Sequence, residues 1–87
     1  MYEIEFSRKA AKFYQKADRA TVRRLNAAMD ILSEDPFGHY SIKRLTGALK
    51  GSFRLRIGGI RVIYSVDEFE KIVYIEVIGH RGDVYKK

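Results

Sequence analysis

No cysteine occurs in the 87 residues of this chain. Disulfides and thiolate metal sites are therefore excluded, and a reducing compartment suits the sequence. Only two histidines are present. Neither an HExxH motif nor a paired-carboxylate spacing appears, so no metal ligand set is visible and no cofactor is expected. No apolar run approaches the roughly 20 residues needed to span a bilayer. The N-terminal Met-Tyr-Glu-Ile-Glu-Phe carries acids and has no long apolar stretch, which leads to the expectation of no signal peptide, no membrane partner and a cytoplasmic location. The length predicts a single domain over 1–87, with one core of modest size and a thin stability margin.

The most informative absence is of negative charge. The net charge is +6, and no carboxylate lies between Asp35 and Asp67, whereas Lys43, Arg44, Lys50, Arg54, Arg56 and Arg61 all fall there. A basic patch on a small protein favours a nucleic-acid partner, because neutralising phosphates drives affinity. The plainer alternative is a solvated basic face.

Within this interval, Ser52-Phe-Arg-Leu-Arg-Ile-Gly-Gly-Ile-Arg-Val-Ile-Tyr64 alternates apolar and polar residues as a half-buried strand does. Two such runs separated by Gly58-Gly59 predict a β-hairpin with a two-residue turn. In that register Ile57 faces Ile60, Arg56 faces Arg61, Leu55 faces Val62 and Arg54 faces Ile63. Like charges placed directly opposite each other are destabilising. A bound anion would offset that cost, and phosphate is the obvious candidate.

Around the hairpin, Tyr2 to Phe6 alternates as a first strand. Ser7 is a suitable N-cap for a helix to about Ala17, with Ala10, Phe13, Tyr14 and Ala17 on one side. Asp18 suits a second N-cap, and the helix it opens runs to about Glu34 with Val22, Leu25, Met29 and Leu32 at helical spacing. Asp35-Pro36-Phe37-Gly38 ends that helix and opens a loop reaching Leu49. Asp67 to Glu70 is a turn, and Lys71 to Ile78 is a last strand. The expected fold is α+β: an N-terminal strand and a two-helix hairpin on one face of a twisted, mainly antiparallel four-stranded sheet. An antiparallel last strand places Gly79-His80-Arg81 beside Ile60-Arg61. Arg56, Arg61, Arg81, His80 and Tyr85 are accordingly expected to share one end of the sheet.

Guanidinium groups hold a phosphodiester through paired hydrogen bonds and stabilise charge that builds on it. They do not exchange protons. Acid–base work needs another group, and His80 and Tyr85 are the candidates, since free imidazole titrates at about 6.5 and free phenol at about 10. Adjacent arginines would lower the tyrosine value. Such a set suits cleavage of RNA by its own 2′-hydroxyl without a metal. The plainer readings are a surface histidine after a strand and a tyrosine covering a sheet edge. An aromatic beside the basic groove would stack a base, but the sequence does not select one.

The ordered set Lys43-Arg44-Leu45-Thr46-Gly47-Ala48-Leu49-Lys50-Gly51, Phe53-Arg54-Leu55-Arg56-Ile57-Gly58, Arg61-Val62-Ile63-Tyr64, Gly79-His80-Arg81 and Val84-Tyr85 resembles the RelE/ParE toxin superfamily, and its RelE branch most closely. The resemblance covers the whole chain. It implies the RelE-like microbial RNase fold and the toxin of a toxin–antitoxin pair, cutting mRNA in the ribosomal A site and blocked by a cognate antitoxin. Carried over by position, it implies Arg61, Arg81, Tyr85 and His80 as catalytic residues. Arg54, Arg56, Lys50, Lys43 and Arg44 then bind RNA and its phosphates. Some relatives have lysine where this chain has Arg54 and Arg56. Arginine does not release a proton, which shifts proton transfer to Tyr85 and His80. Relatives often read Gly-Asp-Tyr-Arg at the turn, where this chain reads Gly58-Gly59-Ile60-Arg61. Two other readings stay open: a ParE-like inhibitor of DNA gyrase without RNase chemistry, and a non-toxic RNA- or protein-binding relative.

Overall fold

The computed structural model describes residues 1–80. The elements are β1 (Glu3–Phe6), α1 (Arg8–Lys16), α2 (Arg19–Glu34), β2 (Ile42–Arg44), a short 3-10 turn (Gly47–Leu49), β3 (Phe53–Ile57), β4 (Ile60–Asp67) and β5 (Ile72–His80). They form a five-stranded mixed sheet of order β1-β5-β4-β3-β2, in which β1 runs parallel to β5 and the other pairings are antiparallel. This corrects the expected four-stranded sheet. The additional strand, β2, lies inside the segment read as a loop. Its three residues carry no alternating run of their own, and it forms by pairing with the outer edge of β3.

Both helices begin where the sequence indicates. The Ser7 hydroxyl accepts from the Ala10 amide at 3.0 Å and donates to the Glu76 carbonyl at 2.7 Å. One side chain therefore caps α1 and ties it to the sheet. Asp18 caps α2 by accepting from the Thr21 amide at 2.8 Å. That backbone hydrogen bond, with the Thr21 hydroxyl second, holds the Asp18 carboxyl below its ordinary range. A lowered folded-state pKa contributes stability above the ordinary aspartate range and loses it as pH falls through the folded value. We expect Asp18→Asn, which keeps an accepting oxygen, to flatten the acid limb of a stability–pH profile measured by urea unfolding. An unchanged acid limb would contradict the assignment.

The core lies between the helices and one face of the sheet. Ala10, Leu25, Ala28 and Leu32 meet Leu55, Ile60, Val62, Tyr64, Val73, Ile75 and Ile78. On α2 the buried stripe is Thr21, Leu25, Ala28 and Leu32, with Met29 partly covered and Val22 outside the core. Tyr64 is fully buried, stacks on Phe53 with ring centroids 5.6 Å apart, and donates to the Pro36 carbonyl at 2.6 Å. This bond ties the loop after α2 to the sheet.

The register slips once between β4 and β5. Ile63 pairs with Val77 but Tyr64 pairs with Ile75, so Glu76 is the extra residue of a bulge. A bulge re-aims the backbone locally. Here the Glu76 carbonyl receives Ser7, and its carboxylate accepts from the Ser52 hydroxyl at 3.1 Å.

Candidate functional site

The hairpin forms in the register derived from its alternation: Ile57 with Ile60, Arg56 with Arg61, Leu55 with Val62 and Arg54 with Ile63. Gly58 has φ of +59°, and it is the first of the two turn residues and the only one of them with positive φ. That sign pattern belongs to the type II′ turn, which favours glycine at this position and matches the twist of the flanking strands. A Cβ on Gly58 would also lie 3.3 Å from Arg24 Cδ and Nε. Arg24 thus comes from α2 onto the hairpin tip. Sequence reasoning does not single it out, because nothing distinguishes it from a solvated helix residue.

Period-two alternation sorts the basic side chains between two faces. Leu55, Val62 and Tyr64 belong to the core, so Arg54, Arg56 and Arg61 project from the face away from the helices. Lys43 joins them, because β2 sets it directly opposite Arg54. Two like-charge cross-strand pairs, Lys43 with Arg54 and Arg56 with Arg61, therefore stand side by side across β2, β3 and β4. Each costs roughly 0.2–1 kcal/mol relative to a neutral pair.

Burial makes the arrangement more demanding. Arg61 is only 8% exposed, on a central strand buried on both faces. The Nε atoms of Arg61 and Arg54 are shielded from solvent and have no hydrogen-bond partner among the described residues. A buried donor left without an acceptor costs about 1–3 kcal/mol, and more when it is charged. An anion held by the guanidinium groups would screen both like-charge pairs.

The remaining expected site residues fall elsewhere. Arg44 pairs with Phe53 on the helix face, and its guanidinium lies 5.4 Å from that ring. It lines a recess with Lys50, Phe37 and Glu68, apart from the arginine pair. His80 is a cross-strand neighbour of Ile60, as Gly79 is of Arg61. The backbones are thus adjacent as expected, but the His80 ring is on the helix face, 5.6 Å from the Phe13 ring. It lines a groove of about 550 Å³ with Lys9, Lys12, Lys16 and Asp18. His80 thus lies at the same end of the sheet as Arg56 and Arg61, as expected, but on the opposite face, so its ring does not join theirs in one site. Arg81 and Tyr85 lie outside the described residues.

Burial, followed by the charge of Asp35, pushes the Tyr64 hydroxyl above the ordinary phenol range. It stays neutral and structural. Among the described residues no group of three or more His, Asp or Glu side chains is placed to hold a metal ion. No helix among them is long and apolar enough to cross a membrane.

Comparison with known proteins gives a consistent set of likenesses. The family described as ParE toxin of type II toxin-antitoxin system, parDE, matches residues 4–85. No curated protein matches. Among solved structures, a chain of the archaeal RelE–RelB complex from Pyrococcus horikoshii is 30% identical, with a TM-score of 0.79 over 94% of this chain and 97% of that one. A chain of the RelBE2 toxin–antitoxin complex from Mycobacterium tuberculosis is 28% identical, with a TM-score of 0.79 over 92% and 98%. The isolated RelE toxin of E. coli shares the fold, with a TM-score of 0.78 over 98% and 92% at 21% identity.

Proposed function

The chain belongs to the ParE toxin family of type II toxin–antitoxin systems, within the RelE/ParE superfamily, and we propose from its arginine site that it is a ribosome-dependent mRNA endonuclease. The observation that carries this reading is the nearly buried Arg61, opposed to Arg56 and adjoining Arg54, with two shielded Nε donors lacking an acceptor among the described residues. A scissile phosphate held by these guanidinium groups offsets the gathered positive charge. As the 2′-hydroxyl attacks, charge grows on the non-bridging oxygens, and fixed guanidinium donors stabilise it more than they stabilise the ground state. Arg61, Arg56 and Arg54 hold the phosphate, with Lys43 as a further cation along the strand. Arg81 completes the grip and Tyr85 takes the 2′-hydroxyl proton, as the resemblance to the RelE branch implies; the O2′–P bond forms as the P–O5′ bond breaks, and water protonates the departing 5′-oxygen. His80, across the sheet, takes no part in this scheme. A cognate antitoxin is the proposed protein partner, since the similar chains come from toxin–antitoxin complexes.

A second reading has its own observation: the matching family is the ParE toxin, which favours inhibition of DNA gyrase without RNA chemistry. Primer extension on mRNA after induction, alongside an assay for gyrase trapped on DNA, separates the two. New mRNA 5′ ends that require ribosomes are the expected result. Intact mRNA with trapped gyrase would replace the first reading with the second.

A further inference from the structure

We infer that Glu76, tethered by Ser52, reads the edge of a nucleobase in the RNA whose phosphate the arginines hold, and that the base it selects is guanine; the inference rests on the reading above. The carboxylate lies on the arginine face. Phe53 packs on the core, so its neighbour Ser52 takes the other face of β3, together with Arg54. The Glu76 carboxylate accepts from the Ser52 hydroxyl at 3.1 Å, so it reaches over β4 to that same face. The bulge explains how. Ile75 and Ile78 are both in the core, and the extra residue between them turns Glu76 outward together with Val77, the partner of Ile63. Ser52 and Arg54 are same-face neighbours two residues apart on one strand, about 7 Å, which is within the span of one nucleotide. The carboxylate therefore stands beside the phosphate grip. Tyr74 is on this face too. Val73 and Ile75 on either side of it are in the core, it pairs with Ser65 in the ladder, and it is 39% exposed. Beyond it the register sets Glu5 of β1, a negative charge that keeps the phosphate backbone on the arginine side and leaves the base toward β5.

Hydrogen-bonding capacity selects the base. An ionised carboxylate only accepts, and its two oxygens offer about four sites, of which Ser52 occupies one. Among the described residues its side-chain partner is this hydroxyl and not a guanidinium, so the group is not spent as a counter-charge. Guanine presents a ring N–H and an amino group side by side on its Watson–Crick edge, and one carboxylate accepts from both. Adenine and cytosine set an acceptor beside their amino group, and uracil sets its N–H between two carbonyls, so each opposes the carboxylate with like polarity. Sequence-specific readers of single-stranded RNA combine such edge contacts with an aromatic face on which the base stacks. The Ser52 bond holds the carboxylate before the base arrives, which lowers the cost of ordering it.

The test uses ribosomes carrying matched mRNA templates with guanine or inosine at each nucleotide flanking the cut, followed over time by primer extension. Inosine lacks the 2-amino group and so loses one of the two donors. The unaltered protein should cut the guanine template about tenfold faster at one such position, within the range for one bidentate base contact. Glu76→Gln keeps an oxygen for Ser52 but puts an amide N–H₂ toward the base, and should bring that ratio to about one. The ratio is taken within one preparation, so any loss of folded protein cancels, and a purely structural role for Glu76 would slow both templates alike. Ser52→Ala leaves the carboxylate in place but untethered, and should narrow the ratio in the same direction. An unchanged ratio in Glu76→Gln, or a ratio of about one at every position in the unaltered protein, would overturn the inference and leave the endonuclease reading standing. Absence of cutting by the unaltered protein on either template would remove that reading, and this inference with it.

Discussion

Replacing Arg61 with methionine is expected to cut mRNA cleavage by about 10²–10³-fold, the usual cost of removing one preorganised donor from developing charge, while leaving the fold at least as stable. The two effects have one source. Arg61 is nearly buried, faces Arg56 across the ladder and has an Nε without a partner among the described residues. Methionine fills a similar length with a flexible apolar chain and removes both the charge opposition and the stranded donor. Relief of one like-charge pair contributes up to about 1 kcal/mol, partly offset by imperfect packing. Single-turnover cleavage on programmed ribosomes and thermal unfolding of the same preparation check the pair of outcomes. Full activity in Arg61→Met would remove this residue from the phosphate grip. A large fall in stability would show that the guanidinium has a structural partner instead.

Leu55→Ala should destabilise the protein by about 3 kcal/mol, as truncation of a fully buried leucine does, and lower Tm by roughly 15 °C in a domain of this size. Leu55 is 0% exposed and lies at the centre of the core, against Val62 and under the helices. Its neighbour Arg56 is exposed and opposed by a like charge. Arg56→Ala is therefore expected to leave stability within about 0.5 kcal/mol of the starting protein, or to raise it. Urea unfolding of both variants tests the division of one strand into a structural face and a functional face. Comparable losses in the two would contradict it.

Local chemistry carries much of the fold. Ser7 and Asp18 are legible as caps because a short oxygen-bearing side chain before a periodic run has few other uses. The hairpin register is legible because Gly-Gly between alternating runs admits one tight turn, and the period of two then fixes each partner. β2 is not legible, since three residues carry no periodic signal and the strand exists only because β3 offers an unpaired edge. Lys43 opposite Arg54 is hidden for the same reason. His80 shows a different limit. Topology correctly places its backbone beside Ile60, but adjacency in a ladder does not say which face a side chain takes. Carrying the alternation on from Ile78, which is buried in the core, assigns His80 to the helix face.

The types of every element but β2, the two helix starts, the hairpin register and the acid-free basic stretch follow from the order of residues alone, because each depends on spacing within a few positions. Which cations meet is settled only in three dimensions. Burial of one sheet face under α1 and α2 forces Arg54, Arg56, Arg61 and Lys43 to the other face, and holds Arg44 against Phe53 and His80 against Phe13 on the covered side. Residues far apart in the chain share a site only through strand order and facing, and both are set by what the core must bury.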